Sequence, residues 1–170
     1  MKGLEAKRAV MTGTMRLKGS RGEVFPLLCP TREYDWIEGW GCDLIYSESG
    51  FAEDGCVFMT DFPGYPERET WVVSRYEPMK AIEFVKVVPG VKTTKFEILL
   101  SDGDGGTTEA LWRQTVTGLS ETGNQWIEDH FEREFRQRVS VLETMLNHYL
   151  STGEKLIGFV SGNTNISSKG

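Results

Sequence analysis

The chain has 170 residues, 39% apolar and 26% charged, with a formal net charge of -6. That length and balance suit one domain with a buried core and exclude a disordered chain. The negative charge argues against a phosphate backbone as partner, since non-specific nucleic-acid binding rests on clustered Lys and Arg, and no apolar run approaches the roughly 20 residues of a membrane span.

The opening MKGLEAKRAV lacks the apolar core of a signal peptide. Cys29, Cys42 and Cys56 are odd in number, and their spacings of 13 and 14 fit neither CxxC nor a common zinc pattern. Reduced cysteines in a cytoplasmic protein are the expectation, with no metal and no cofactor. Residues 7–18 alternate, with Ala9, Met11, Gly13, Met15 and Leu17 on one face, as in a half-buried strand. A short helix follows from about Arg21 to Leu28, and Pro30 stops it. Thr31 can cap a second short helix through Trp36.

From residue 41 to 118 the pattern is strands and turns. Strands are expected at about 42–48, 56–62, 68–77, 80–88, 91–101 and 107–118, with FPGYPER (62–68) as a turn-rich break. Pro89-Gly90 suits a tight turn, and SDGDGG a hairpin loop. No long helix separates these strands, so the sheet is an antiparallel meander. Ile82 and Phe84 alternate with Glu83, and Phe96, Ile98 and Leu100 with Lys95 and Glu97. Ala110, Trp112 and Val116 alternate with Glu109 and Arg113, so one face is apolar and the other wet. Trp71 and Val73 are assigned to the apolar face.

A helix is expected from about Asn124 to Leu150. Ile127, Phe131, Phe135, Val139, Leu142, Leu146 and Tyr149 or Leu150 form one stripe at three- and four-residue steps. Glu128, Glu132, Arg133, Arg136, Gln137, Glu143 and Thr144 cover the rest, and Glu132–Arg136 and Glu134–Arg138 are i,i+4 pairs. Ser120 or Asn124 can cap its start, and Gly153 can end it. Residues 1–153 are therefore read as one domain and 154–170 as a flexible tail.

A twisted sheet has one apolar concave face, and a single helix about 10 Å across cannot fill all of it. The remaining space is either closed by side chains or left as a pocket. This order of elements, with VFPLLCPTREYDWIEGW (24–40), WVVSRYEP (71–78), IEFVKVVPG (82–90) and the run from GLSETGN (118–124) to LNHYLSTGEK (146–155), resembles the START-related superfamily over about residues 7–152. That group is also called SRPBCC, birch-pollen-allergen-like or polyketide cyclase/dehydrase-like. The resemblance implies an α+β helix-grip fold: a curved antiparallel sheet of six or seven strands around a long C-terminal helix, with two short helices after strand 1. It also implies a cavity between sheet and helix. Members carry lipids, sterols or quinones, cyclise polyketides, or bind a chaperone. They share no catalytic motif, so no catalytic residue is carried over.

The expected ligand-facing residues are Trp71, Phe84, Phe96, Trp112, Gln114, Phe131 and Phe135, with Trp36 and Trp40 near the mouth. Lys86 and Gln114 share the apolar face with Phe84 and Trp112. Inside, they must pair with each other or with water, or meet a ligand's oxygen atoms; otherwise they lie at exposed strand ends. REYDWIEGW packs Arg32, Glu33, Asp35 and Glu38 among aromatics, either as a cap on the core or as a pocket mouth that orients a polar head. His130 and His148 suggest no metal site, since HExxH is absent.

Three functions compete on these grounds. The first is binding or carriage of an apolar small molecule such as a lipid, an isoprenoid or a polyketide-like compound. The second is a cyclase- or hydrolase-type enzyme acting on such a ligand. The third is an interaction module of the chaperone-activator kind with its cavity collapsed. A cavity apolar throughout favours the first, a buried acid–base pair the second, and little cavity with an exposed apolar patch the third. A homodimer is left open.

Overall fold

The structure is a computed structural model and describes residues 3–62 and 64–159. Its sheet holds seven antiparallel strands: β1 (Arg8–Leu17), β2 (Asp43–Tyr46), β3 (Val57–Thr60), β4 (Glu69–Glu77), β5 (Ala81–Val88), β6 (Lys92–Asp102) and β7 (Thr108–Gly118). Strands β2 to β7 form the expected meander. β1 returns beside the last strand, with Arg8 opposite Thr117 and Leu17 opposite Thr108, giving the order β1-β7-β6-β5-β4-β3-β2. The turn at Pro89-Gly90 closes with Val91 N–H donating to Val88 O at 3.0 Å, and Gly90 takes φ 70°.

Alternation sets the two faces. Ile82, Phe84, Phe96, Ile98, Trp112 and Val116 are buried on the concave side. The convex side carries a charge ladder in which Lys95 lies 3.3 Å from Glu83 and Arg113 lies 3.6 Å from Glu97. In β4, Val73 faces Phe84 but Arg75 faces Glu83, a bulge at Ser74 that bends the strand.

Two short helical pieces follow β1. The first is α1 (Arg21–Val24), continued by a 3-10 turn at Phe25–Leu28; the second is a 3-10 turn at Glu33–Asp35. Ser20 and Glu23 form a capping box on α1. Thr31 does not cap the second turn. Its hydroxyl lies 3.1 Å from Cys29 Sγ, and Arg32 occupies the cap position without a side-chain bond.

The C-terminal helix is continuous from Glu121 to Thr152, as α2 (Glu121–Trp126), a π turn at Ile127–Phe131, and α3 (Glu132–Thr152). It starts three residues before the expected Asn124 because Ser120 is the cap, its Oγ accepting from Gly123 N–H at 3.2 Å. Asn124 instead ties the chain's start to the helix: Oδ1 accepts from Lys7 N–H at 2.9 Å and Nδ2 donates to Glu5 O at 3.1 Å. Gly123 is required inside the helix, because a Cβ there would stand 1.8 Å from Val91 O. Gly153, at φ 73°, ends the helix as expected, its N–H donating to Tyr149 O at 2.7 Å.

The helix lies along β1. Phe135 and Val139 pack over Gly13, where a Cβ would meet them at 3.4 Å, in ordinary contact. Helix side chains also serve the free edge of β1. Glu143 accepts from Arg16 N–H at 2.8 Å, and Asn147 accepts from Lys18 N–H and donates to Arg16 O, both at 2.8 Å. These bonds cover the Arg16–Lys18 end of that edge against pairing with another chain.

The whole arrangement is an α+β helix-grip fold. Among the described residues no helix is long and apolar enough to cross a membrane. Past the helix, Gly158 N–H donates to both Glu38 carboxylate oxygens at 3.0 and 3.1 Å, and Phe159 packs on the core. The remainder of the expected tail, residues 160–170, lies outside the described residues.

Candidate ligand-binding cavity

Between the concave face and the helix lies a cavity of about 800 Å³. Its floor is a chain of rings running across the strands. Phe58 and Trp71 have centroids 5.1 Å apart, Trp71 and Phe84 5.5 Å, Phe84 and Phe96 5.8 Å, and Phe96 and Trp112 4.9 Å. Its roof is Val141, Leu142 and Met145 of α3 with Glu134, Gln137 and Arg138. Gly39, Gly41, Asp61, Gln137 and Arg138 are the exposed members of the lining and mark where the cavity opens.

Of the residues expected to face a ligand, Trp40, Trp71, Phe84, Phe96, Trp112 and Gln114 stand on this wall. Phe131 and Phe135 line a small adjoining pocket of about 30 Å³, which shares Lys86 and Gln114 with the main cavity. Trp36 is not on the wall. It is 1% exposed and sits in the core, its indole N–H donating to Leu27 O at 2.8 Å, so the mouth is left to Trp40 and its neighbours.

The helix faces the cavity with a different stripe from the one read in the sequence. Phe131, Phe135 and Leu146 are buried as expected, and so is Met145, which stood outside that stripe. Gln137, expected on the outer surface, lines the cavity with Glu134 and Arg138. Met145, Glu134, Gln137 and Arg138 all lie on α3, beyond the π turn at Ile127–Phe131, so the face that borders the cavity is the one beside the expected stripe on the same regular helix. Of the two expected i,i+4 pairs, Glu132 and Arg136 meet at 3.0 Å, whereas Glu134 and Arg138 both turn to the cavity.

The cavity is not apolar throughout. Lys86 does not lie at an exposed strand end: it is 4% exposed, and Nζ stands 3.5 Å from Glu69 Oε1 and 4.3 Å from the Trp71 ring centroid. Lys92 Nζ lies 3.5 Å from the same Glu69 oxygen, between the rings of Phe62 and Trp126 at 4.3 and 4.4 Å. Burial lowers the Lys86 amine to about 8, against the pull of Glu69. Lys92 moves down for the same reason. For Glu69, burial works against the charge, but the two lysines outweigh it and its pKa falls below the usual carboxylate value. Glu33 reaches the wall from the second 3-10 turn. Burial pushes its carboxyl up to about 8 against the pull of Lys86.

The indole nitrogens separate into two kinds. Trp36, Trp40 and Trp71 donate to Leu27 O, Pro30 O and Thr60 Oγ1 at 2.8, 2.8 and 2.9 Å. Trp112 Nε1 is buried and has no partner among the described residues. Glu69 and Lys92 were legible as inward by strand parity, since they share it with Trp71 and with Phe96. Their charge conceals that parity, because a charged residue on an apolar face contradicts the pattern that defines the face.

These elements define a helix-grip fold: a seven-stranded antiparallel sheet, short helices after β1, and a long C-terminal helix over the concave face. The structure is similar to that of Zhui aromatase/cyclase from Streptomyces sp. R1128, with a TM-score of 0.65 and 10% identity over 88% of this chain and 100% of the other. It is similar to the Aha1 dimer from Colwellia psychrerythraea, with a TM-score of 0.56 and 16% identity over 85% of this chain and 98% of that one. DynU16, from the dynemicin biosynthetic locus, matches with a TM-score of 0.60 and 16% identity over 85% of this chain, which spans about half (48%) of DynU16. No protein-family model and no curated protein matches the chain.

Proposed function

We propose that this protein binds a small, mainly apolar molecule in the cavity between the sheet and the C-terminal helix. The observation that carries this reading is the 800 Å³ space floored by five consecutive aromatic rings. A concave apolar wall with a few fixed polar groups is the usual form of a small-molecule site. A ring-bearing, polyketide-like compound suits the aromatic floor better than a flexible lipid or isoprenoid chain, because flat rings stack on flat rings. One structurally similar protein, Zhui, is an aromatase/cyclase, which agrees with that choice. Native mass spectrometry, followed by denaturing extraction of copurified small molecules, tests it. A bound compound supports the reading, and protein that is repeatedly empty and takes up no apolar dye removes it.

Glu33 and Lys86 favour a second reading, an enzyme of the cyclase or hydrolase type acting on the same ligand. Both reach one cavity with pKa values displaced to about 8, the range in which side chains exchange protons most readily at neutral pH. If it holds, Glu33→Gln abolishes turnover of a bound compound while leaving its binding intact. An interaction module with a collapsed cavity is disfavoured by the volume itself. The dimer of the Aha1 relative extends to this chain only as a proposal, which light scattering of the purified protein decides.

A further inference from the structure

Charge at the Glu69 end of the cavity does not balance. Lys86 and Lys92 share one carboxylate oxygen of Glu69 at 3.5 Å each, and the three side chains are 4%, 3% and 5% exposed. Two ammonium groups against one carboxylate leave a buried positive charge without an anion. From the helix, Arg138 and Glu134 bring one charge of each sign to the same region. From the 3-10 turn, Glu33 brings a carboxyl that burial holds neutral below about 8. A buried, uncompensated charge is expensive unless something pairs with it.

The two lysines are not equivalent. Lys92 is enclosed by Phe62 and Trp126 and borders only the small adjoining pocket, whereas Lys86 stands on the wall of the main cavity. Lys92 can therefore keep Glu69 while Lys86 meets a ligand. A second unfilled demand lies across the sheet. Trp112, 5% exposed, presents an indole N–H without a partner. Lys86 is opposite Thr94, Thr94 opposite Val116, and Trp112 lies four residues from Val116 on the same strand. That separates the two polar points by about 13 Å along the strands at the backbone. Phe84 and Phe96 occupy the surface between them.

Granting that the cavity is a ligand site, we infer that its ligand is an aromatic acid: a flat, apolar ring body with an acidic oxygen group, carboxylate or acidic phenol, at Lys86 and a neutral oxygen acceptor facing Trp112 Nε1. The ammonium group supplies a charge-assisted hydrogen bond that is strongest to an anionic oxygen. The aromatic floor supplies the stacking surface.

Calorimetric titration of the intact protein with 2-naphthoate, 2-naphthol and 2-naphthalenemethanol tests this. The three probes share a ring body and differ in acidity. The expected result is that one of the acids binds about tenfold or more tighter than the alcohol. Naphthoate leading assigns a carboxylate; naphthol leading, with the absorption of its anion, assigns a phenol. Lys86→Met should erase the preference of the acids over the alcohol. Trp112→Phe, which removes only the N–H, should weaken 6-hydroxy-2-naphthoate more than 2-naphthoate. If all three probes bind the wild-type protein equally, the acidic end is wrong and the cavity reading stands. An acid preference that survives Lys86→Met likewise overturns the assignment. If none of the probes binds, the cavity reading falls and this inference with it.

Discussion

The helix meets the two halves of the sheet in different ways. Over β1 it is in direct contact: Gly13 admits Phe135 and Val139, and Glu143 and Asn147 bind the free strand edge. Opposite β3, β4 and β5 it faces Phe58, Trp71, Phe84 and Lys86 across the cavity. One sheet and one helix thus make a packed half and a hollow half. Helix side chains close directly onto β1 at Gly13, whereas large rings on the floor hold space open beside them. Close-packed interiors rarely keep such a void without a use for it.

Substitutions that strike one half and spare the other test this contrast. The largest stability loss is expected in the packed half. Phe135→Ala should cost about 3–5 kcal/mol in urea unfolding, while Trp71→Ala on the cavity floor should cost less than about 3 kcal/mol and abolish binding of an apolar dye. The reverse order would mean that the helix is anchored on the hollow side. Glu69→Ala is expected to cost about 3–5 kcal/mol, because it leaves two buried lysines without their carboxylate. Lys86→Met should cost far less, since Glu69 keeps Lys92.

A pH series addresses Glu33. Its carboxyl titrates near 8 in the folded chain against an ordinary 4.5, so between those values the folded state holds a proton that the unfolded state has released. Its contribution is full below about 4.5 and is lost as pH rises through about 8. Lys86 acts in the opposite sense at higher pH: its folded value near 8 lies below the ordinary 10.5, so stability recovers across that range. Glu33→Gln should flatten the decline between 4.5 and 8 in thermal melts. An unchanged slope would mean that the carboxyl is solvated through the cavity. The smallest effect is expected from Asn147→Ala, about 1 kcal/mol for the bonds to the β1 edge, with increased self-association as the more sensitive readout.

Much of the hollow half could be read from the chain. Parity placed Phe84, Phe96, Trp112 and Gln114 on one face, and all four line the cavity. Parity also carried Glu69 and Lys92 inward, but charge made them look like surface residues, because local patterning has no means of pairing side chains on different strands. Trp36 failed for a related reason. An aromatic residue beside a loop reads equally well as a mouth or as a core cap, and only the position of Leu27 O decides between them. The helix period gave the apolar stripe, but which flank of that stripe borders the cavity depends on how α3 sits over the sheet.

The sequence by itself determined the order of the elements, the wet and apolar faces of the sheet, and the helix end at Gly153. These depend on periodicity, capping and turn chemistry, which act over a few residues. Only the tertiary structure decided that the space between sheet and helix stays open, that two lysines share one carboxylate inside it, and that the Trp112 N–H has no partner. Those are relations between residues far apart in the chain, and they exist only once the sheet's curvature and the helix's offset have set the distances.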